Sequence, residues 1–133
     1  MPRILVTDDD ASVRRMVCRT LELAGFIVDE APDGKVGLAL FKKNPANLAV
    51  VDLFMPEKDG IETIMELKRT QPDVKIIAMT DGGQSGLISL GFAALALGAD
   101  RVLSKPFQHE ALLNTVLELL SMPPVEQEID PTA

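Results

Sequence analysis

The sequence predicts an α/β domain, a doubly wound five-stranded parallel sheet of order 2-1-3-4-5 with about five helices. Three observations carry that expectation. Short apolar runs alternate with segments of helical period along 133 residues, a length suited to a single core. Runs such as Ile4-Leu5-Val6 and Leu48-Ala49-Val50-Val51 are apolar at every position, as in strands covered by helices on both faces. Polar residues with chemistry to offer fall where four of the runs end: Asp8 and Asp9, Asp52, Thr80, and Lys105.

The elements follow in order. Residues 3–7 read as a buried strand. Val13, Met16, Val17, Leu21 and Ala24 then share one helical face over residues 11–24, with Asp10 as N-cap and Gly25 just past the end. Phe26-Ile27-Val28 is the second strand. Asp33 caps a helix through Val36, Ala39 and Leu40 that ends near Asn44-Pro45. Residues 48–52 form the third strand. Ile61, Ile64, Met65 and Lys68 mark the third helix, which stops before Gln71-Pro72. Residues 74–79 are the fourth strand, and Leu87–Leu97 the fourth helix, entered through the loop Asp81–Gly86. Residues 101–104 are the last strand, and Leu112, Leu113, Val116, Leu117 and Leu120 line the last helix. Residues 1–121 are thus read as one domain and 122–133, acidic and aperiodic, as a disordered tail.

Crossovers in such sheets are right-handed, so helices cover both faces only if the strand order reverses. Ligands then bind beyond the carboxyl ends of the strands, at the reversal. The second strand ends in Asp29-Glu30 and offers nothing comparable to the other four, which places the reversal between strands one and three.

Composition narrows the function. A net charge of −7 and a pI near 4.6 speak against a nucleic-acid surface, which needs clustered Lys and Arg. No stretch is apolar enough to cross a bilayer, and the N-terminus lacks a signal-peptide layout, so a cytoplasmic location without membrane contact is expected. The one cysteine, Cys18, is expected to be a buried structural thiol, and the one histidine, His109, a solvated surface residue.

Taken singly, each polar residue has an ordinary reading. Asp8, Asp9 or Asp10 could cap a helix, Thr80 could end a strand, and Lys105 could be solvated. Jointly, carboxylates, a hydroxyl and an amine at one sheet edge make a site for a divalent cation and a phosphoryl group.

The segments Ile4-Leu5-Val6-Thr7-Asp8-Asp9-Asp10, Val51-Asp52-Leu53-Phe54-Met55-Pro56-Glu57-Lys58-Asp59-Gly60, Ile77-Ala78-Met79-Thr80 and Leu103-Ser104-Lys105-Pro106-Phe107 together resemble the receiver domain of bacterial response regulators, over about residues 3–121. The resemblance implies a flavodoxin-like fold and a stand-alone, CheY-like switch. It implies phosphorylation of Asp52 by a histidine kinase or histidine phosphotransfer protein, and Mg2+ held by Asp8, Asp9, Asp52 and the Phe54 carbonyl. It also implies a Thr80 hydroxyl and a Lys105 ammonium that meet the phosphoryl oxygens, and a cis Lys105-Pro106 bond. Asp52 is expected to be ionised at neutral pH, as ordinary aspartates are, so that no separate base is needed. The output is an unknown protein partner, with the chain a monomer or a phosphorylation-dependent dimer.

The sequence departs from the receiver pattern at three places. Val102 stands where an aromatic residue commonly rotates as Thr80 moves; a small, stiff side chain cannot do so, and the loop after strand four together with helix four is expected to carry the signal instead. Asp81 follows Thr80 where a small residue is usual, adding negative charge near the entrance. Phe54 and Gly82 occupy positions that tune attack by water, and neither side chain can hold one, so slow self-dephosphorylation is expected. Two other functions compete. Asp8-x-Asp10-x-Ser12 resembles the first motif of haloacid-dehalogenase-type phosphatases, with Asp8 as nucleophile, but no late acidic pair supports it. A receiver fold that binds partners without being phosphorylated is the other.

Overall fold

The structure, a computed structural model, describes residues 1–54, 60–81 and 87–122. Strands and helices alternate strictly: β1 (Arg3–Thr7), α1 (Ala11–Leu23), β2 (Ile27–Ala31), α2 (Gly34–Lys43), β3 (Leu48–Asp52), α3 (Gly60–Thr70), β4 (Lys75–Thr80), α4 (Leu87–Leu97), β5 (Arg101–Ser104) and α5 (His109–Leu119). All strand pairs are parallel and the order is β2-β1-β3-β4-β5, as expected. Odd and even strand positions feed two cores. Ile4, Val6, Val50, Ile77 and Met79 pack with Val17, Cys18 and Leu21 of α1 and Leu112 and Val116 of α5. Leu5, Ala49, Val51, Ile76 and Ala78 pack on the other face with Leu38 and Phe41 of α2, Ile64 and Leu67 of α3, and Ala94 of α4. Full burial of both faces is what the unbroken apolar runs demanded.

Local chemistry sets the helix ends. The Asp10 carboxylate accepts from the Ser12 and Val13 amides at 2.9 and 3.2 Å, and Asp33 accepts from Val36 at 2.9 Å, each filling otherwise orphaned donors. Gly25, at φ 100°, turns the chain out of α1 in a conformation that other residues resist.

The structure corrects two boundaries. β2 starts at Ile27 and not Phe26, and it runs one residue past Glu30 to Ala31, because its parallel register sets Arg3–Thr7 against Ile27–Ala31. Its polar members are satisfied at the sheet edge: Asp29 accepts two hydrogen bonds from Arg3, at 2.8 and 3.0 Å, and Glu30 accepts one from Arg14 at 2.9 Å. β4 runs from 75 to 80, since Val74 closes a turn onto the Gln71 carbonyl while Thr80 pairs with Ser104. Cys18 is buried as expected, and burial together with nearby Glu30 and Glu22 pushes its thiol up to about 12, so it is inert. His109 lies on the surface, but it is not merely solvated: its Nδ1 meets the Thr20 hydroxyl, tying α5 to α1. Met122 packs on the α1/α5 core, and the rest of the expected tail, 123–133, lies outside the described residues.

Candidate functional site

β1 and β3 are adjacent and end together, and the helices that follow them leave for opposite faces of the sheet. A crevice opens there, and the residues just past each strand fall into it. From β1, Asp8 and Asp9 turn the chain into α1. The Asp10 amide donates to Asp8 Oδ1 at 2.9 Å, and Arg14 donates to the Asp8 carbonyl at 2.8 Å while also holding Glu30. The first turn of α1 and the polar end of β2 thus fix the Asp8 backbone. From β3 comes Asp52, opposite Met79 of β4; the Leu53 amide donates to the Met79 carbonyl at 3.0 Å, and the Phe54 amide to Asp52 Oδ1 at 3.3 Å. α3 begins hard against this point. A Cβ on Gly60 would collide with the Asp52 carbonyl and lie 2.5 Å from the Leu53 Cα. Gly60 is therefore required for close approach and not for an unusual backbone angle.

Asp8, Asp9 and Asp52 each bring a carboxylate oxygen within 4.8 Å of the others. Asp8 and Asp52 are buried and Asp9 is exposed, so the cluster is open on one side. Lys105, just past β5, reaches in: its Nζ lies 3.0 Å from Asp8 Oδ2 and 3.5 Å from Asp52 Oδ1. Its amide donates to the Thr80 carbonyl at 2.7 Å, which ties the ends of β4 and β5 together, and the Lys105-Pro106 bond is cis as expected.

Two buried carboxylates in one pocket repel each other, with a cost of roughly 4 kcal/mol for unit charges about 4 Å apart at an effective dielectric of 20. Asp52 responds by holding its proton. Burial first, and then the charge of Asp8, raise its carboxyl to about 7 against the opposing pull of Lys105 and the Phe54 amide. Without a cation, Asp52 therefore holds its proton more tightly than an ordinary aspartate does. Burial alone would lower the hold of Lys105 on its proton, but the direct contact with Asp8 and the charges of Asp52, Asp8 and Asp81 outweigh it, and the lysine stays cationic.

The pocket fits a hard divalent cation. It offers three carboxylates, and buried Asp8 Oδ2, 3.0 Å from the Lys105 ammonium, has no hydrogen-bond partner among the described residues. Such an orphaned lone pair is accounted for if an ion completes the site. Buried Thr7 Oγ1 also lacks a partner among the described residues, and nothing in the structure explains it.

Of the residues the sequence singled out, Asp8, Asp9, Asp52 and Lys105 converge. Thr80 is buried at the same sheet edge, one residue beyond the partner of Asp52. Phe54 contributes its amide, while its ring is 64% exposed. Val102 pairs with Ala78 and packs on the α2–α4 side of the core, below Gly91 of α4. Asp10 is occupied in capping α1, which removes the second acid that a haloacid-dehalogenase motif requires. Arg14 and Glu30 were not foreseen, because nothing in their local sequence marks a contact between α1 and β2. Gly82 and the rest of the glycine-rich segment, with 55–59, lie outside the described residues.

These features define a class: doubly wound α/β domains with an acidic pocket, closed by a lysine, at the reversal point of the sheet. The sequence profile of the response regulator receiver domain matches residues 4–117, and the chain belongs to that family. It is 35% identical over 127 residues to the response regulator receiver protein CpdR of Brucella abortus, spanning 90% of this chain and 98% of that one. It is 40% identical to the probable transcriptional regulator ycf27 of Porphyridium aerugineum, covering 86% of this chain but 48% of the relative. The chain spans about half the length of several such relatives. Among solved structures, the chemotaxis protein CheY4 of Vibrio cholerae superposes with a TM-score of 0.80 at 31% identity, over 90% of this chain and 98% of that one. A CheY-like receiver domain protein from Methanospirillum hungatei gives 0.84 at 29%, over 91% and 94%. Among the described residues, no helix is long and apolar enough to cross a membrane.

Proposed function

We propose that the chain is a phosphorylation switch in which Asp52 takes a phosphoryl group from a histidine kinase or histidine phosphotransfer protein. The observation that carries this reading is the Lys105 ammonium within 3.5 Å of a buried carboxylate that shares its pocket with two more acids. An Asp52 oxygen attacks phosphorus as the phosphorus–nitrogen bond of the donor breaks, and the electron pair returns to the imidazole. Lys105 balances charge on one phosphoryl oxygen, and the Thr80 hydroxyl donates to another. Mg2+ held by Asp8, Asp9, Asp52 and the Phe54 carbonyl would neutralise the carboxylates and screen the incoming oxygens. Binding the ion also favours the ionised, nucleophilic form of Asp52.

The output is proposed to run through α4 to a protein partner. Gly91 leaves α4 seated directly over the switch: a Cβ there would stand 3.5 Å from Val102 Cγ1 and 3.9 Å from Thr80 Cγ2. With only small groups in between, a shift of Thr80 toward the phosphoryl group reaches α4 without a rotating ring. α4 also presents Phe92, Leu95 and Leu97 to solvent and carries no charged residue, as suits a partner-facing helix. Borohydride reduction of the phosphorylated protein tests the acceptor: an acyl phosphate is reduced to homoserine, and the converted residue is expected at position 52. Conversion elsewhere would overturn the assignment.

A further inference from the structure

Beside the carboxylate pocket lies a cavity of about 680 Å³ lined by Val13, Met16, Asp81, Lys105, Pro106 and Phe107. Four of these six walls are apolar. Lys105 belongs to both spaces, since its ammonium meets Asp8 and Asp52 while its side chain forms part of the cavity wall. Asp81 is the one anion among these walls, exposed, and its charge acts on the same lysine. A phosphoryl group drawn to Lys105 from the cavity side therefore passes a fixed negative charge, beside apolar walls that screen it less than bulk water does.

We infer that Asp81 selects the phosphodonor by charge. The inference rests on the phosphoacceptor reading of Asp52. The repulsion scales with the charge the donor brings, so small dianionic donors free in solution are held back more than monoanionic ones. A protein donor gains contact energy remote from the phosphoryl group, and the apolar walls from α1 and the segment after β5 offer surface for it, so the penalty is offset for that donor alone.

The test compares wild type, Asp81→Asn and Asp81→Glu. Each is incubated with Mg2+ at low salt and either dianionic acetyl phosphate or monoanionic phosphoramidate, and the phosphorylation rate is read by intact mass. For one unit charge removed about 10 Å away, well inside the Debye length at low salt, Asp81→Asn is expected to speed acetyl phosphate about fourfold and phosphoramidate about twofold. Asp81→Glu keeps the charge and should keep the wild-type ratio between donors, and added salt should shrink the effect of Asp81→Asn. An equal change with both donors, or none, overturns the charge gate, because a merely structural role would not follow donor charge. If neither donor phosphorylates any of the three proteins, the phosphoacceptor reading fails and the gate with it.

Discussion

Replacing Asp52 by Asn should stabilise the metal-free protein, and should do so only above mildly acidic pH. The Asp52 carboxyl titrates near 7 in place of 3.8, chiefly because it is buried beside Asp8. Each pH unit corresponds to about 1.36 kcal/mol, so ionising it in the fold costs up to roughly 4 kcal/mol. Water at the open side of the cluster screens part of this, leaving roughly 2 kcal/mol. The sign follows from the proton counts. Below the ordinary aspartate range, both folded and unfolded chains hold the proton and no penalty exists. As pH rises toward about 7 the unfolded chain releases it first, so the fold loses stability, and above that the loss is complete. An asparagine side chain has no proton to release. In urea denaturation with EDTA, the variant should exceed wild type by roughly 2 kcal/mol near pH 8 and by little near pH 4 to 5. The chain has no Trp or Tyr, so the unfolding is followed by circular dichroism. Mg2+ should raise the stability of wild type and leave the Asp52→Asn variant nearly unmoved. A pH-independent gap, or a wild type more stable at pH 8, would refute the electrostatic reasoning.

Other consequences follow. Gly60→Ala forces a methyl into the backbone beside Asp52; a loss of roughly 1–3 kcal/mol in denaturant and weaker Mg2+ binding are expected, and a change under about 0.5 kcal/mol would deny the tight approach. Neither Phe54 nor Gly82 can position a water through its side chain, so the phosphorylated form should outlast about a minute after donor removal; faster decay by mass would contradict this. Backbone NMR shifts on phosphorylation should spread through α4 from Gly91. Shifts confined to Asp8, Asp9, Asp52, Thr80 and Lys105 would exclude α4 as the output path.

Much of this was legible in the sequence because parallel strands buried on both faces leave little choice of pattern. β1 between Arg3 and Thr7, and β3 up to Asp52, are all-apolar, and the polar residues that follow have nowhere to go but the carboxyl edge. Asp8, Asp9, Asp52 and Lys105 could be placed by that rule alone. How Asp29 and Glu30 of the edge strand β2 are satisfied was not legible, because Arg3 and Arg14, which hold them, are distant in sequence. The raised pKa of Asp52 was not foreseen for a related reason: it depends on the depth of burial and on Asp8 lying alongside, neither of which a linear pattern carries. The tie between His109 and Thr20, and the seat of Gly91 over Val102, likewise arise only once α1, α4 and α5 have docked. The expectation that no nucleic acid is bound rests on the acidic charge alone, and several relatives are transcriptional regulators about twice as long as this chain.

The most direct measurement is intact mass after incubation with acetyl phosphate, with and without Mg2+, for wild type and Asp52→Asn. The account predicts a gain of one phosphoryl group that requires Mg2+ and is absent in the variant. A gain that persists in Asp52→Asn, or that is indifferent to Mg2+, would contradict it; so would the absence of any gain in wild type when Asp81→Asn also fails to react.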